Sequence, residues 1–385
     1  MILQNRDLHQ DALRILSGAA MEKETTIAGN REEPMITAAE IAAELNALVG
    51  VETTYRNRVE RGNMMKIPWA IDDRNPLWRD EDYARRTPRE GLTASPSFVE
   101  FLRIGFRNFA PEDPLFAPPG MKKGGPPGVV GGQEVDYFRP VRIGDVITSR
   151  RKLVGVRQRY AKALHKDVVI RTSEQKFTNQ HEEPVATLRA TQLIIFDSTR
   201  PKPEEADPAE EPAAAVTNPV PVPEGPVDWN QVRPGVELPV LTKHPDDNQM
   251  AVWAGAVDDY NPIHRDPVLA QQGGYPGPIV FGPLICSFLN QLVTDWMGPE
   301  GWIDQVAYRH LAPAWVGEPM ICRGRIVEKR VKEGRHQLVL RVQAGDAKGI
   351  PGTVGTVTVT LPEKPDPDIP RAVPLNRPGW MRAQD

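Results

Sequence analysis

Residues 256–266 read Ala-Val-Asp-Asp-Tyr-Asn-Pro-Ile-His-Arg-Asp, and residues 70–80 read Ala-Ile-Asp-Asp-Arg-Asn-Pro-Leu-Trp-Arg-Asp. Seven of the eleven positions are identical, at an offset of 186. A second match follows in each copy: Pro140-Val-Arg-Ile-Gly-Asp145 aligns with Pro313-Ala-Trp-Val-Gly-Glu318, at an offset of 173. The shorter offset puts extra residues in the first copy, and the Pro- and Gly-rich loop at 111–128 is the expected insert. Two matches in the same order favour duplication of one structural unit.

The order of elements around the two loops is also shared. In the second copy a strand is expected at Glu237–Thr242, a helix at Asn248–Val257 and a short helix at Pro267–Gln272. After Gly282-Pro283 comes Leu-Ile-Cys-Ser-Phe-Leu-Asn-Gln-Leu-Val-Thr-Asp-Trp-Met-Gly, an almost wholly apolar helix with Pro at a permitted early position. Strand patterns follow at 303–311, 318–329, 335–344 and 353–361. In the first copy a helix at 97–108 precedes strands at 132–138, 145–156, 167–179 and 185–196. One helix against a run of antiparallel strands is an α+β layout. A helix apolar on every side must be buried, so a curved sheet wrapped around it is the economical arrangement.

Residues 197–226 hold eight prolines in thirty, with Glu, Ala and almost no large apolar side chains. Such a segment cannot bury enough surface to offset its ordering entropy and reads as a linker. The expected organisation is an N-terminal extension (1–35), a first unit (36–196), the linker (197–226), a second unit (227–362) and a Pro-rich tail (363–385). The chain has 385 residues, 47 Lys+Arg against 51 Asp+Glu, and 40% hydrophobic residues. A net charge of −4 argues against a general nucleic-acid binder. No apolar run approaches the roughly 18 residues of a membrane span, and the first residues do not form a secretory signal, so a cytoplasmic protein is expected. Two cysteines, Cys286 and Cys322, cannot build a disulfide framework.

Chemistry concentrates in the second loop. Asn261-Pro262 stiffens a turn that carries Asp259 and His264. A carboxylate and an imidazole facing one volume can hold a water, remove one proton and return another. Adding water across a double bond conjugated to a carbonyl also needs an acceptor for enolate charge. At the start of the buried helix Pro283 has no N–H, so the amides of Gly282 and Leu284 are the candidate donors. The first loop has Trp78 in place of the histidine. Both loops could instead be structural, with Asp capping a helix and Asn-Pro forming a turn. A metal cluster of Asp258, Asp259, His264 and Asp266 has no second group of ligands to support it. His310 and His336 read as surface or core histidines, and Cys286 as a small core residue.

With these residues the sequence resembles the MaoC-like (R)-specific enoyl-CoA hydratases, or hydratase 2, whose motif is Asp-x-Asn-Pro-x-His. The resemblance implies a double hot-dog fold, two tandem units each with a central helix wrapped by a curved antiparallel sheet. It implies Asp259 and His264 as the acid–base pair, Asn261 in support and Gly282 as the oxyanion donor. The first half resembles the dehydratase-like N-terminal domain of two-domain members, where such a half makes room for the acyl chain. Trp78 and Phe281 are then expected on the substrate side. The family often has His-Gly where this chain has Phe281-Gly282, and Gly where it has Asp258.

The expected partner is an acyl-CoA thioester, whose phosphates Lys122 and Lys123 could meet. A homodimer is also expected. No metal or redox cofactor is implied, coenzyme A being part of the substrate. The alternatives are a non-catalytic acyl-CoA-binding or partner subunit and a hot-dog thioesterase.

Overall fold

The computed structural model describes residues 36–104, 115, 128–161, 165–197 and 227–369. The extension at 1–35, the linker apart from Asp197, the tail beyond Ile369, and Lys122 and Lys123 lie outside these described residues.

Ten strands form one sheet. In chain order they are β1 (Glu52–Arg58), β2 (Gly128–Tyr137), β3 (Val146–Ala161), β4 (Lys166–Thr178), β5 (Pro184–Asp197), β6 (Leu241–Lys243), β7 (Trp302–His310), β8 (Met320–Lys332), β9 (Arg335–Gly345) and β10 (Pro351–Leu361). Their spatial order is β1-β3-β4-β5-β2-β7-β10-β9-β8-β6. Read from either edge to the middle, the order is that of one unit: β1 answers to β6, β3 to β8, β4 to β9, β5 to β10 and β2 to β7. All the pairings are antiparallel. The two units therefore share one sheet, joined where β2 meets β7 from Gly132↔Arg309 to Asp136↔Gln305. A Cβ on Gly132 would lie 2.5 Å from the Tyr308 carbonyl oxygen, so the backbones approach as closely as they do only because this residue is glycine.

The helices are α1 (Ala38–Ala47), α2 (Arg61–Ala70), α3 (Glu81–Arg85), α4 (Val99–Ile104), α5 (Asp247–Val257), α6 (Pro267–Gln272) and α7 (Gly282–Met297). Of the sixteen residues of α7, only Gly282 and Asp295 are less than fully buried. Its apolar side chains pack against the second unit's strands, with one core running into the first unit through Phe98, Val135 and Phe177. At about 1.5–3 kcal/mol for each large apolar side chain removed from water, this helix anchors both units. The architecture is the double hot-dog fold that the resemblance implied.

Most element positions agree with the sequence patterns to within a few residues. The helix expected at 97–108 begins as a 3-10 turn at Pro96–Phe98 and continues as α4, with residues 105–108 outside the described set. The strand expected at 237–242 is reduced to the three residues of β6 and an isolated bridge between Glu237 and Arg325. The sequence reading assigned neither α1 nor β1. A capping box marks α1, with Thr37 and Glu40 bonded reciprocally, and α1 buries Ile41 and Leu45 against Leu153, Val169 and Ile194.

Candidate active site

The two repeated loops have the same backbone. Asp258 closes α5 in the left-handed region at φ 56°, and Asp72 holds the same conformation at φ 48°. Glycine adopts this conformation without steric cost, and Asp tolerates it better than most residues. In the second loop, Asp259 Oδ1 accepts from the Asn261 amide at 3.3 Å and Asn261 Oδ1 from the Ile263 amide at 3.3 Å. In the first, Asp73 and Asn75 make the equivalent bonds at 2.8 and 3.1 Å. Each loop then enters one turn of 3-10 helix, Pro76–Trp78 or Pro262–His264. The sequence repeat is thus an Asx-turn repeat, and its structural role holds in both copies.

What the turn presents differs between the copies. His264 is buried, and its Nδ1 lies 2.7 Å from the carbonyl oxygen of Ile279. A carbonyl can only accept, so Nδ1 carries the proton and Nε2 of the neutral ring is left with its lone pair. Burial lowers the imidazole pKa, while the Ile279 carbonyl and the Asp259 charge push in the opposite direction. The ring stacks on Phe281 with centroids 3.6 Å apart and planes 27° from parallel. Phe281 is itself buried, so it braces the imidazole from one face. Asp259 is half-buried. Its second oxygen, Oδ2, has no partner among the described residues, and its charge is felt at the imidazole. Asp258 turns away and accepts a bond from the exposed Tyr260 hydroxyl at 3.4 Å.

The amide of Gly282 opens α7 and makes no hydrogen bond among the described residues, as expected for a first-turn N–H. Two features place it. The Val280 amide bonds the Ala314 carbonyl at 2.8 Å, and His310 lies directly beneath Gly282. His310 is buried, with Nδ1 2.9 Å from Thr353 Oγ1 and Nε2 3.9 Å from Cys286 Sγ. Burial pulls its pKa down to about 4, so it is a neutral floor under the helix start. Sequence reading treated His310 as a surface or core histidine and did not link it to the site. Its only linear signal was a histidine ending a strand, 28 residues after Gly282.

The first unit keeps the turn but not the side chains. Trp78, which is buried, replaces the imidazole. By backbone correspondence, Ala94 bonds Val141 as Val280 bonds Ala314. Pro96 therefore falls where Gly282 stands, and it has no N–H to offer. Asp73 is sealed at 1% exposure, and burial pushes its carboxyl up to about 6 despite the attraction of Lys243. Lys243, on β6, donates to the Ile71 carbonyl at 2.6 Å and lies over the Phe288 ring. Asp295, the one acidic residue of α7, joins this buried group, and burial and Asp73 raise its pKa well above normal. The first loop is thereby pinned against the C-terminal half of α7.

Among the described residues no three His, Cys, Asp or Glu side chains are placed to hold a metal ion. Asp266, considered for such a cluster, caps α6 by accepting from the Val268 and Leu269 amides at 2.8 and 3.2 Å. Lys329, on β8, is occupied by the Trp229 and Val232 carbonyls and the Trp229 ring. No helix among the described residues is long and apolar enough to cross a membrane.

Two family profiles match consecutive parts of the chain: the FAS1-like dehydratase domain region over residues 47–188 and the MaoC-like domain over residues 222–345. The first unit thus matches a FAS1-like dehydratase domain region and the second is a MaoC-like domain, a two-domain arrangement. A UPF0336 protein of Saccharopolyspora erythraea is 28% identical over 148 residues, which cover 38% of this chain and 88% of that protein. A solved MaoC-like dehydratase superposes with a TM-score of 0.65 at 21% identity, over 83% of this chain and all of the other. A Mycobacterium tuberculosis protein described as having a double hot-dog fold superposes at 0.58 with 16% identity, over 82% of this chain and 97% of its own. At these identities the two structures speak to the fold, and the MaoC-like profile places the chain among hydratases and dehydratases.

Proposed function

We propose that this MaoC-like protein reversibly hydrates an enoyl-CoA thioester to a 3-hydroxyacyl-CoA. The observation that carries the reading is the state of His264. Its Nδ1–H is held by the Ile279 carbonyl, and its unpaired Nε2 shares a loop with the half-buried Asp259 carboxylate, beside the unpaired amide of Gly282.

In the hydration direction Nε2 accepts a proton from water as the water oxygen bonds C3 of the substrate. The C2–C3 π electrons move toward the thioester oxygen, where the Gly282 N–H stabilises the developing charge. Asp259 orients the water and stabilises the imidazolium, which returns the proton to C2. One H and one OH are added, and each protein group ends as it began. Asn261 fixes the turn that sets the geometry.

Val129, which follows the loop bearing Lys122 and Lys123, packs against Ile263, Tyr275 and Ile279. Lys122 and Lys123, outside the described residues, are proposed as partners for the coenzyme A phosphates on their charge alone.

The test is turnover of trans-2-enoyl-CoA thioesters of graded chain length by the full chain. His264→Ala and Asp259→Asn are expected to fold normally and to lose at least about 10²-fold in kcat. Near-wild-type rates in either variant would remove the mechanism. Release of free thiol without water addition would make the protein a thioesterase instead.

A further inference from the structure

The short segment before α7 holds the His264 imidazole from two directions. At the ring's edge the Ile279 carbonyl accepts from Nδ1–H at 2.7 Å, and Phe281 covers the ring's face. The segment is itself pinned. The Ile279 amide donates to the Ile263 carbonyl at 3.2 Å, and the Val280 amide to the Ala314 carbonyl at 2.8 Å. Both rings are buried, so their contact is shielded from water. The next residue along is Gly282, whose amide is the proposed oxyanion donor.

The stacking geometry suits one charge state of the histidine better than the other. Neutral aromatic pairs prefer offset or edge-to-face arrangements with centroids about 4.5–7 Å apart, because two negative π faces repel. Here the centroids are 3.6 Å apart and the planes 27° from parallel, so one face lies almost squarely on the other. For the neutral imidazole of the resting site this is the poorer arrangement. For an imidazolium it is the favourable one, a cation over an aromatic face away from water. The charged groups acting on the ring are Asp259, which favours the protonated form, and Arg265, which opposes it. The Arg265 guanidinium donates to the Tyr260 carbonyl at 3.1 Å, and Asp258 accepts from the Tyr260 hydroxyl. The first unit offers a comparison. Ala94 and Pro96 correspond to Val280 and Gly282, so Ser95 stands where Phe281 does. In the copy whose histidine is replaced by Trp78, a ring that takes up no proton, the π face is absent as well.

We propose that Phe281 is a positioning residue whose π face stabilises the positive charge His264 acquires when Nε2 takes the proton of water. The inference rests on the hydratase reading. The charged ring exists only between removal of that proton and its return to C2, so the contact is stronger during the reaction than in the resting enzyme. An interaction of that kind raises kcat and leaves KM almost unchanged.

The experiment places 4-fluoro-, 3,5-difluoro- and 3,4,5-trifluorophenylalanine at position 281 of the full chain. Each fluorine draws charge off the ring face while leaving its shape nearly intact, so folding is preserved where Phe281→Leu could loosen the site. Two readouts are taken: the proton affinity of His264 by NMR titration, and kcat and KM for enoyl-CoA hydration. Proton affinity and kcat are expected to fall together along the series, by about tenfold in the trifluoro protein, with KM changed by less than about twofold. A ring that only braces the imidazole gives a flat series, and a flat proton affinity overturns the proposal. So does a rise in KM at constant kcat, which would set Phe281 against the substrate. The titration needs no turnover. If the wild-type protein hydrates no enoyl-CoA, the hydratase reading falls on the rate assay, while the titration still decides whether Phe281 stabilises the charged ring.

Discussion

Replacing Gly282 by alanine tests the most sharply constrained point of the site. A Cβ built there falls 2.7 Å from His310 Nε2, with Cε1 at 3.1 Å and Cδ2 at 3.2 Å. Ordinary contact begins at 3.4 Å, so the nearest approach is 0.7 Å too short (3.4 − 2.7). The ring cannot swing aside, because it is buried and tied to Thr353 at 2.9 Å. Either the ring or the start of α7 must move by a substantial fraction of an ångström. Overpacking of this kind costs about 1–3 kcal/mol. If the helix start yields, the amide proposed to hold the thioester oxygen moves with it, and misplacement on the order of 1 Å can lower turnover by about 10²-fold.

The assay is paired: urea unfolding for stability and enoyl-CoA hydration for rate, in the wild-type and His310→Ala backgrounds. His310→Ala removes the obstacle, so Gly282→Ala should cost about 1–3 kcal/mol less there than in the wild type. Gly255→Ala is the control. Gly255 lies inside α5 with nothing within 4 Å of its added Cβ, and alanine there should stabilise by about 0.5–1 kcal/mol. The reasoning fails if Gly282→Ala unfolds and turns over like the wild type, or if its stability cost is the same in both backgrounds.

Two pH experiments follow from the buried imidazoles. His264 has its pKa lowered chiefly by burial and pushed back up by Asp259. Its NMR titration should therefore have a midpoint below 6.5, lower still in Asp259→Asn, and kcat/KM should remain on its plateau down to that pH. A midpoint at or above 6.5 would contradict the assigned neutral base. His310 carries its pKa from 6.5 down to about 4. A depressed histidine is protonated more readily in the unfolded chain, so its contribution is complete above pH 6.5 and disappears as pH falls toward 4, by about 3 kcal/mol. Asp73, raised from 3.8 to about 6, acts in the opposite direction over an overlapping range. The prediction is accordingly a difference: His310→Gln should lose less stability than the wild type between pH 6.5 and 4 in urea titrations, and parallel profiles would refute it.

The sequence carried the architecture because the features that decide it are local and repeated. An all-round apolar stretch announces α7 wherever it sits, and alternation in 336–342 and 354–361 announces strands. The duplicated Asx-turn fixed the correspondence between units, which the palindromic strand order then made visible in space. The site was legible only as far as one loop reaches. Asp259, Asn261 and His264 lie within six residues, and a single turn determines their relation. His310 contacts Gly282 because β7 runs beneath α7, a fact of sheet topology with no trace in spacing. Phe281 reads as a ring on the substrate side until the imidazole stacked on it is known. Capping box aside, α1 escaped because its run of alanines has little of the apolar contrast on which periodicity depends.

The asymmetry between the units explains why a duplicated catalytic motif leaves one catalytic centre in the proposed reaction. Losing the histidine at Trp78 would by itself suffice to remove the acid–base pair. The structure shows two further, independent losses: Pro96 has no amide where Gly282 presents one, and Asp73 is sealed among Lys243, Asp295 and the core. Once the first loop no longer had to keep a carboxylate accessible, it could be drawn into the interface and used to lock the units together, with Gln249 and Gln291 of the second unit reaching the Ala70 and Asp72 carbonyls at 3.0 and 3.4 Å. Burying the second loop in this way would close the volume that the proposed reaction needs for water. Its neutral histidine is held by one backbone carbonyl and one stacked ring, so Nε2 remains unpaired. In one copy the polar groups of the turn hold the fold together, and in the other Nε2 of His264 and Oδ2 of Asp259 are left for the proposed reaction.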